Sequence, residues 1–182
     1  MSTSAEDRQD RAERGGTGEL RAVRYDDPVA VYLIEQVQQE YVLRYGGRDA
    51  APVDPAEFAA PHGLFLVAEV GGTPAGCGGW RVHGPTAVEV KRMYVAPGFR
   101  RHGIARRLLA ALEATAVRAG HREILLNTGG RQPEALALYA RAGYTPVPGY
   151  GIYAQAPDAV FLGKVLGGET RQQQEEVDGW AS

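Results

Sequence analysis

The segment from residue 89 to 109 constrains this chain most, because a strand pattern changes to a helix pattern across a short basic loop. Its letters read EVKRMYV, then APGFRRHG, then IARRLL. Gly103 and Ala105 are small enough to let an anion approach the main chain. The first turn of a helix also offers unpaired N–H groups and the positive end of its dipole. We therefore predict a diphosphate site here, with added positive charge from nearby arginines (Arg100, Arg101, Arg106 and Arg107).

Two common nucleotide-binding motifs do not fit these letters. Gly98 and Gly103 have the spacing of a Walker A loop, but Ile104 and Ala105 stand where Lys and Ser or Thr are required. The crossover also lacks the Gly-x-Gly-x-x-Gly pattern of a Rossmann dinucleotide site. The sequence thus argues against both classes of nucleotide-binding protein.

Hydrophobic periodicity predicts nine elements in the order β-α-β-β-β-α-β-α-β. This order favours a mixed sheet with helices on its faces, in which the unit from residue 87 to 127 is a parallel, right-handed crossover. The predicted strands cover residues 19–25, 64–70, 74–82, 87–95, 123–127 and 159–166, and the predicted helices cover 27–45, 103–120 and 133–142.

Length and composition favour one domain. The chain has 182 residues, 44% of them hydrophobic, and its two ends lack apolar periodicity. We expect a single domain over residues 19–166, with disordered tails at 1–18 and 167–182. Trp180 lies in the second tail, where a stray aromatic residue is favoured over a docking residue.

Several classes of function are disfavoured by what the sequence lacks. The net charge of -2 gives no general attraction to nucleic acid, and no signal peptide or run of about 20 apolar residues is present. Serine occurs only at positions 2, 4 and 182, which argues against a serine hydrolase. The four histidines lack metal-ligand spacing, and Cys77 is the only cysteine. We therefore expect a cytoplasmic protein with no metal, membrane or nucleic-acid partner.

Three motifs together resemble the GNAT superfamily of N-acetyltransferases. The family signature Arg/Gln-x-x-Gly-x-Gly/Ala is matched by residues 100–105, RRHGIA. The strand before it, with Ala96-Pro97, resembles the strand that faces the cofactor, and residues 135–144, ALALYARAGY, resemble the family's second motif. The resemblance covers residues 19–166. It implies an α/β (α+β) fold with a mostly antiparallel central sheet, helices on both faces and a splayed parallel strand pair.

The same resemblance implies acetyl-CoA as co-substrate and assigns roles to individual residues. Val95 would use its backbone N–H to polarise the thioester carbonyl, and Tyr139 would protonate the leaving thiolate. Glu89 matches the base of the family's histone-acetylating branch. Arg101 and His102 depart from the family, which often has glycine followed by arginine there. The residues implied to bind the cofactor are Met93, Tyr94, Val95, Arg100, Arg101, His102, Gly103, Ile104, Ala105, Arg106 and Asn127.

Structural interpretations of these residues stay open at this point. Tyr139 could be a core tyrosine, Glu89 a carboxylate paired with an arginine or with Lys91, and Asn127 part of a turn that ends its strand. Cys77 has no visible partner for nucleophilic chemistry, so a buried small hydrophobe is favoured and transfer would be direct.

The implied function is therefore acetyl transfer to a primary amine of a small molecule or peptide. A catalytically silent module that binds or senses acyl-CoA is the alternative. Acceptor contacts would come from residues 25–63 and 148–158, with Tyr150 and Tyr153 as wall residues. The sequence determines neither the acceptor nor whether the protein is a monomer or a homodimer.

Overall fold

The computed structural model describes residues 18–167, so Trp180 and nearly all of both predicted tails lie outside the described residues. Three short 3-10 turns, at Pro55–Phe58, Pro97–Phe99 and Gly151–Tyr153, accompany the helices and strands. The strands are β1 (Glu19–Val23), β2 (Gly63–Val70), β3 (Thr73–His83), β4 (Ala87–Val95), β5 (Glu123–Gly129), β6 (Thr145–Pro146) and β7 (Ala159–Val165), and the helices are α1 (Pro28–Tyr45), α2 (Ile104–Arg118) and α3 (Pro133–Arg141).

The strands form one mixed sheet in the order β1-β2-β3-β4-β5-β7-β6. Only β4 and β5 run parallel to each other, and every other neighbouring pair is antiparallel. The predicted fold class is confirmed. The sequence pattern missed β6, because two residues that include a proline are too short to show a period of two.

The parallel pair separates partway along its length. β4 and β5 are paired from Ala87 and Glu123 to Val90 and Leu126, and no further. β4 nevertheless continues to Val95, while the rest of β5 follows β7 instead. This separation is the splay that the family resemblance implied, and it leaves a gap between two strand ends.

A bulge in β4 changes which side chains face each side of the sheet. Cys77 pairs with Tyr94 and Gly79 pairs with Lys91, so β4 carries one extra residue across this interval. Arg92 lies in it with a φ of 60°, in the left-handed region. As a result, Val90 and Tyr94 belong to different core clusters, although two residues four positions apart in a regular strand would face the same side.

The core consists of two hydrophobic clusters, one on each face of the sheet. Phe65 and Val67 of β2 belong to the cluster that contains Leu33 and Val37 of α1. Leu66 and Ala68 alternate with them and belong to the cluster that contains α2. Helices α1 and α2 therefore cover opposite faces. None of the helices within residues 18–167 is long and apolar enough to cross a membrane.

Candidate active site

A cleft of about 1530 Å³ occupies the gap between the separated ends of β4 and β5. Helices α1, α2 and α3 all contribute to its walls. Its volume exceeds the about 300–1,000 Å³ of typical small-molecule pockets. The C-terminal end of α1 approaches β5 so closely that a Cβ at Gly129 would lie 1.9 Å from the Tyr45 hydroxyl oxygen. The cleft thus has room for a long ligand, and a larger residue at position 129 would displace the Tyr45 side chain.

The first turn of α2 presents unfilled main-chain donors to this cleft. Gly103 is the N-cap with a φ of 76°, a conformation that favours glycine, and no side chain caps the helix. The Arg107 N–H makes the first helical hydrogen bond, 3.1 Å to the Gly103 carbonyl oxygen. Within residues 18–167, the N–H groups of residues 104–106 have no partner. Such a group of donors at a helix start has the geometry that favours an anion.

The charges around the cleft also suit an anion. Nine basic and five acidic side chains line it. Arg101, Arg106 and Arg141 are exposed and make no ion pair with any residue of the range 18–167. The excess of positive charge and the free guanidinium groups both favour a ligand that carries several negative charges.

Arg100 behaves differently from its neighbours in the predicted anion loop. Its Nε donates to the Val95 carbonyl oxygen at 2.9 Å, and one terminal nitrogen donates to Glu40 Oε2 at 2.9 Å. Glu40 also pairs with Arg44, which in turn pairs with Glu134 of α3. Arg100 therefore links the end of β4 to α1 rather than extending toward the start of α2.

Most of the other predicted cofactor residues line this same cleft, whereas His102 is exposed and does not. The cleft-lining members of the predicted set are Met93, Tyr94, Val95, Arg100, Arg101, Gly103, Ile104, Ala105, Arg106 and Asn127. β5 continues past Asn127 to Gly129, and the turn after the strand begins only at Gly130, so Asn127 lies within the strand and not in the turn.

The ladder between β3 and β4 directs the Val95 N–H into the gap. The Ala96 N–H donates to the Ala75 carbonyl oxygen at 2.9 Å, on the β3 side. Because neighbouring residues of a strand point their N–H groups toward opposite edges, the Val95 N–H points away from β3. It therefore faces the space from which β5 has separated.

Tyr139 lies on α3 and contributes to the cleft wall, although only 5% of its surface is exposed. Its ring centroid lies 5.5 Å from that of Tyr144 within the core. Burial raises the pKa of the Tyr139 phenol, which keeps the hydroxyl protonated. The packing role and the position beside the cleft therefore coexist. Tyr41 of α1 also lines the cleft, although the sequence analysis assigned it no role in the site.

Glu89 lies outside the large cleft, in a neighbouring cavity of about 150 Å³. Its Oε2 accepts a hydrogen bond from Arg81 Nε at 3.0 Å, and Lys91 Nζ lies 3.6 Å from Oε1. The structure therefore contains the arginine pairing that the sequence left open, and it places Glu89 and Tyr139 in different spaces. Lys91, Asn127 and Tyr153 line both spaces and so connect them.

Sequence reasoning missed Asp49, a largely buried carboxylate that lines the large cleft. Asp49 accepts hydrogen bonds from Arg92 at 2.5 Å, from the Tyr153 hydroxyl at 3.0 Å and from the Ala51 N–H at 2.9 Å. Burial works to raise the pKa of Asp49, but Lys91, the Ala51 N–H and Arg92 outweigh it and hold that pKa below its usual value. The only available signal was the consecutive pair of bases at positions 91 and 92 within a strand.

Cys77 is fully buried, and its Sγ lies 3.3 Å from the Arg92 carbonyl oxygen. Burial also raises the pKa of this thiol, which disfavours the thiolate. The structure therefore places a small buried residue here, away from both cavities. Across residues 18–167, no group of three or more His, Cys, Asp or Glu side chains is arranged to hold a metal ion.

Comparison with known proteins identifies the class as acyltransferases. The chain belongs to the Acetyltransferase (GNAT) family, whose model matches residues 32–144. It is 36% identical over 137 residues to an IAA acetyltransferase from Azospirillum brasilense, covering 75% of this chain and 90% of that protein.

Solved structures share the fold. A Klebsiella pneumoniae protein proposed to be an acyl-CoA N-acyltransferase is 28% identical, with a TM-score of 0.69 over 82% of this chain and 97% of that one. A GNAT family acetyltransferase from Elizabethkingia anophelis, solved with acetyl-CoA bound, is 16% identical, with a TM-score of 0.62 over 83% of this chain and 99% of that one.

Proposed function

We propose that this protein transfers an acetyl group from acetyl-CoA directly to a primary amine of a small molecule or peptide. One observation carries the proposal. The unfilled N–H groups of residues 104–106, the end of β4 and Tyr139 all line one continuous cleft. Membership of the GNAT acetyltransferase family supports the acyl donor.

The residues present fit coenzyme A. The N–H groups at the start of α2 suit its diphosphate. Arg106 lies on the first turn of α2 and Arg101 in the loop just before it, and neither has a competing ion pair within residues 18–167. Met93, Tyr94 and Val95 form the wall along which the pantetheine arm would lie. When bound, the thioester supplies an acyl carbon that an amine can attack.

Two groups of this chain would act on the reacting atoms. The Val95 N–H donates to the thioester oxygen and stabilises the negative charge that develops there. Tyr139 donates its proton to the sulfur as the carbon–sulfur bond breaks and the carbon–nitrogen bond forms. Because burial raises the pKa of Tyr139, the phenol carries that proton throughout the neutral pH range.

Glu89 would take the proton that the amine releases. Arg81 bonds to Oε2, whereas Oε1 receives no hydrogen bond from residues 18–167 and remains available in the small cavity. We place the acceptor on this side of the sheet, between β4, β5 and the turn at Gly151–Tyr153, and Glu89 reaches its amine directly or through water.

A screen of primary amines with acetyl-CoA tests the proposal. We expect free thiol to be released only when protein, acetyl-CoA and a suitable amine are all present, with the acetylated amine detected by mass spectrometry. Calorimetry on the same sample measures CoA binding. If CoA binds and no amine causes thiol release, the protein is a silent acyl-CoA-binding module. If folded protein binds neither CoA nor acetyl-CoA, the cofactor site itself is wrong.

A further inference from the structure

The small cavity beside the large cleft contains a set of buried polar atoms that lack partners. Asn127 Nδ2 and the Tyr150 hydroxyl are buried, and neither makes a hydrogen bond of normal geometry within residues 18–167. Burial, and after it the nearby Glu89 carboxylate, raises the pKa of the Tyr150 phenol, so this hydroxyl keeps its proton and can donate it in a hydrogen bond. Lys91 Nζ makes no hydrogen bond there either, since its nearest carboxylate oxygens lie 3.6 Å away on Glu89 and 3.8 Å away on Asp49. All three groups can donate a hydrogen bond, and all three residues line the cavity.

The acidic side chains nearby already have stronger partners. Glu89 Oε2 lies 3.0 Å from two nitrogens of Arg81. Asp49 Oδ2 lies 2.5 Å from Arg92, and its Oδ1 accepts from the Tyr153 hydroxyl at 3.0 Å. Each carboxylate therefore has an arginine partner that is closer than Lys91. Lys91 Nζ lies within 4 Å of both carboxylates but within hydrogen-bond distance of neither.

The charge balance leads to the same conclusion. Five charged side chains here are at most 17% exposed, and three of them are basic while two are acidic. The basic ones are Arg81, Lys91 and Arg92, and the acidic ones are Glu89 and Asp49. Glu57, which is 45% exposed, also pairs with Arg81 at 2.7 Å, so both arginines have a carboxylate at hydrogen-bond distance. Lys91 is the buried cation whose carboxylate partners lie beyond that distance, and a negatively charged group of a ligand would make the direct ion pair that Lys91 lacks.

We propose that this cavity binds a carboxylate of the acceptor, so that the acceptor is an amino acid or a related molecule with both an amine and a carboxylate. Lys91 supplies the charge, while Asn127 and Tyr150 supply further hydrogen bonds to the two carboxylate oxygens. Lys91 and Asn127 also line the large cleft, so a carboxylate held here leaves the amine of the same molecule beside the cleft. This inference rests on the proposed function.

Matched acceptors provide the test. Each set contains an L-amino acid, its carboxamide and the amine that lacks the carboxylate, and thiol release gives kcat/KM for each compound. We expect the acid of a preferred set to exceed both analogues at least tenfold in the unmodified protein. Lys91→Met should reduce this preference at least tenfold, mainly by raising KM for the acid. Arg118→Met removes one exposed positive charge far from the cavity and should preserve the preference.

Tyr150→Phe is a second test of the same cavity, for the case in which Lys91→Met does not fold. It removes only the hydroxyl oxygen of Tyr150. It should reduce the preference for the acid about threefold. Equal or better use of the carboxamide or the simple amine by the unmodified protein would overturn the proposal. So would a Lys91→Met variant, folded by circular dichroism, that slows acid and amine by the same factor.

Binding measurements separate this inference from the proposed function. Calorimetry of the same amino acids and carboxamides against CoA-saturated protein needs no turnover. If no amine yields thiol but acids bind in a manner that depends on Lys91, the transferase function fails and the carboxylate site stands. If thiol is released only with amines that lack a carboxylate, the function stands and the carboxylate site fails.

Discussion

The large cleft and the small cavity differ in the groups that they offer to a ligand. At the start of α2 the donors are main-chain N–H groups, and the nearby guanidinium groups of Arg101 and Arg106 are exposed. In the small cavity the groups are buried side chains, most of them already in ion pairs. Main-chain donors survive side-chain substitution, whereas a network of buried charges does not. The two regions should therefore respond differently to substitution.

The largest expected effect comes from blocking the main-chain site. Ala105→Glu places a carboxylate in the first turn of α2, where it occupies the space and the positive potential that we assign to the diphosphate. We expect CoA to bind at least about 100-fold more weakly by calorimetry, which is about 2.7 kcal/mol. The fold should not suffer, because an acidic residue in the first turn stabilises a helix by about 0.3–1 kcal/mol.

Ala114→Glu is the matched control for this substitution. It adds the same side chain to an exposed position of the same helix, away from the cleft. Its CoA affinity should equal that of the unmodified protein. Equal binding by Ala105→Glu would mean that the start of α2 does not hold the cofactor.

Loss of the Tyr139 hydroxyl should have the next largest effect, on turnover rather than binding. We expect Tyr139→Phe to lower kcat by roughly 30-fold, less than the about 10²–10⁴-fold typical of acid–base catalysis. The effect is smaller because a thiol with a pKa of about 8.5 leaves fairly readily without protonation. Steady-state thiol release measures kcat, and calorimetry should show unchanged CoA affinity.

Tyr144→Phe distinguishes this role from packing. Tyr144 is a neighbouring core tyrosine whose hydroxyl is also buried, but it does not line the cleft. The substitution should leave kcat within about twofold of the original. If kcat fell by the same factor in Tyr139→Phe and Tyr144→Phe, the two rings would act only through packing.

The difference between the two regions also explains what the sequence could predict. The proposed anion site is built from one continuous stretch, so its strand, loop and helix patterns lie side by side in the sequence. Periodicity likewise predicted the main helices and strands, whereas β6 and the short turns were missed because they span only a few residues. The splay depended on family resemblance, since no local pattern determines where two paired strands separate.

The small cavity could not be predicted in the same way. Its walls come from residues 51–52, 81, 83, 89, 91, 127 and 150–153, which only the folded sheet brings together. The extra residue in β4 also shifts the alternation of side chains at Arg92, so a simple period of two misplaces the residues that follow. The contacts between Asp49 and Arg92 arise across 43 residues of sequence and are invisible to motif reasoning.

On the acceptor side, removal of the proposed base should have a moderate effect that depends on pH. We expect Glu89→Gln to lower kcat/KM for the acceptor about tenfold at pH 7, measured by thiol release. The defect should shrink as the pH approaches the acceptor amine's own pKa, about 7.7–10.4, because the amine then arrives already deprotonated. CoA affinity should not change, since Glu89 lies outside the large cleft.

A constant defect across the whole pH range would assign Glu89 to structure rather than to proton transfer. Glu57→Gln is a suitable control, because Glu57 pairs with the same Arg81 at 2.7 Å yet is 45% exposed and lines neither cavity. It should leave the pH profile unchanged. The pair of variants therefore separates the loss of a base from the loss of a partner for Arg81.

The smallest expected effect concerns the stability of the buried charges around the small cavity. Asp49→Asn removes the negative charge beside Lys91 and Arg92 but can keep a hydrogen bond to the Tyr153 hydroxyl. We expect a loss of about 1–2 kcal/mol at pH 7, below the about 3–5 kcal/mol seen when a buried ion pair is broken outright. Because the folded-state pKa of Asp49 is lowered, its contribution is present above the unfolded pKa of about 3.9 and is lost as the pH falls through the folded value. Urea unfolding should therefore give a clear difference between the two proteins at pH 7 and a smaller one near pH 3.

Asp26→Asn is the control, since the pKa of Asp26 is also lowered but its side chain is 51% exposed beside Arg24. If Asp49→Asn and Asp26→Asn have equally small effects on stability, the charges of the cavity are screened by solvent, and the contrast between an open cleft and a buried charged cavity fails.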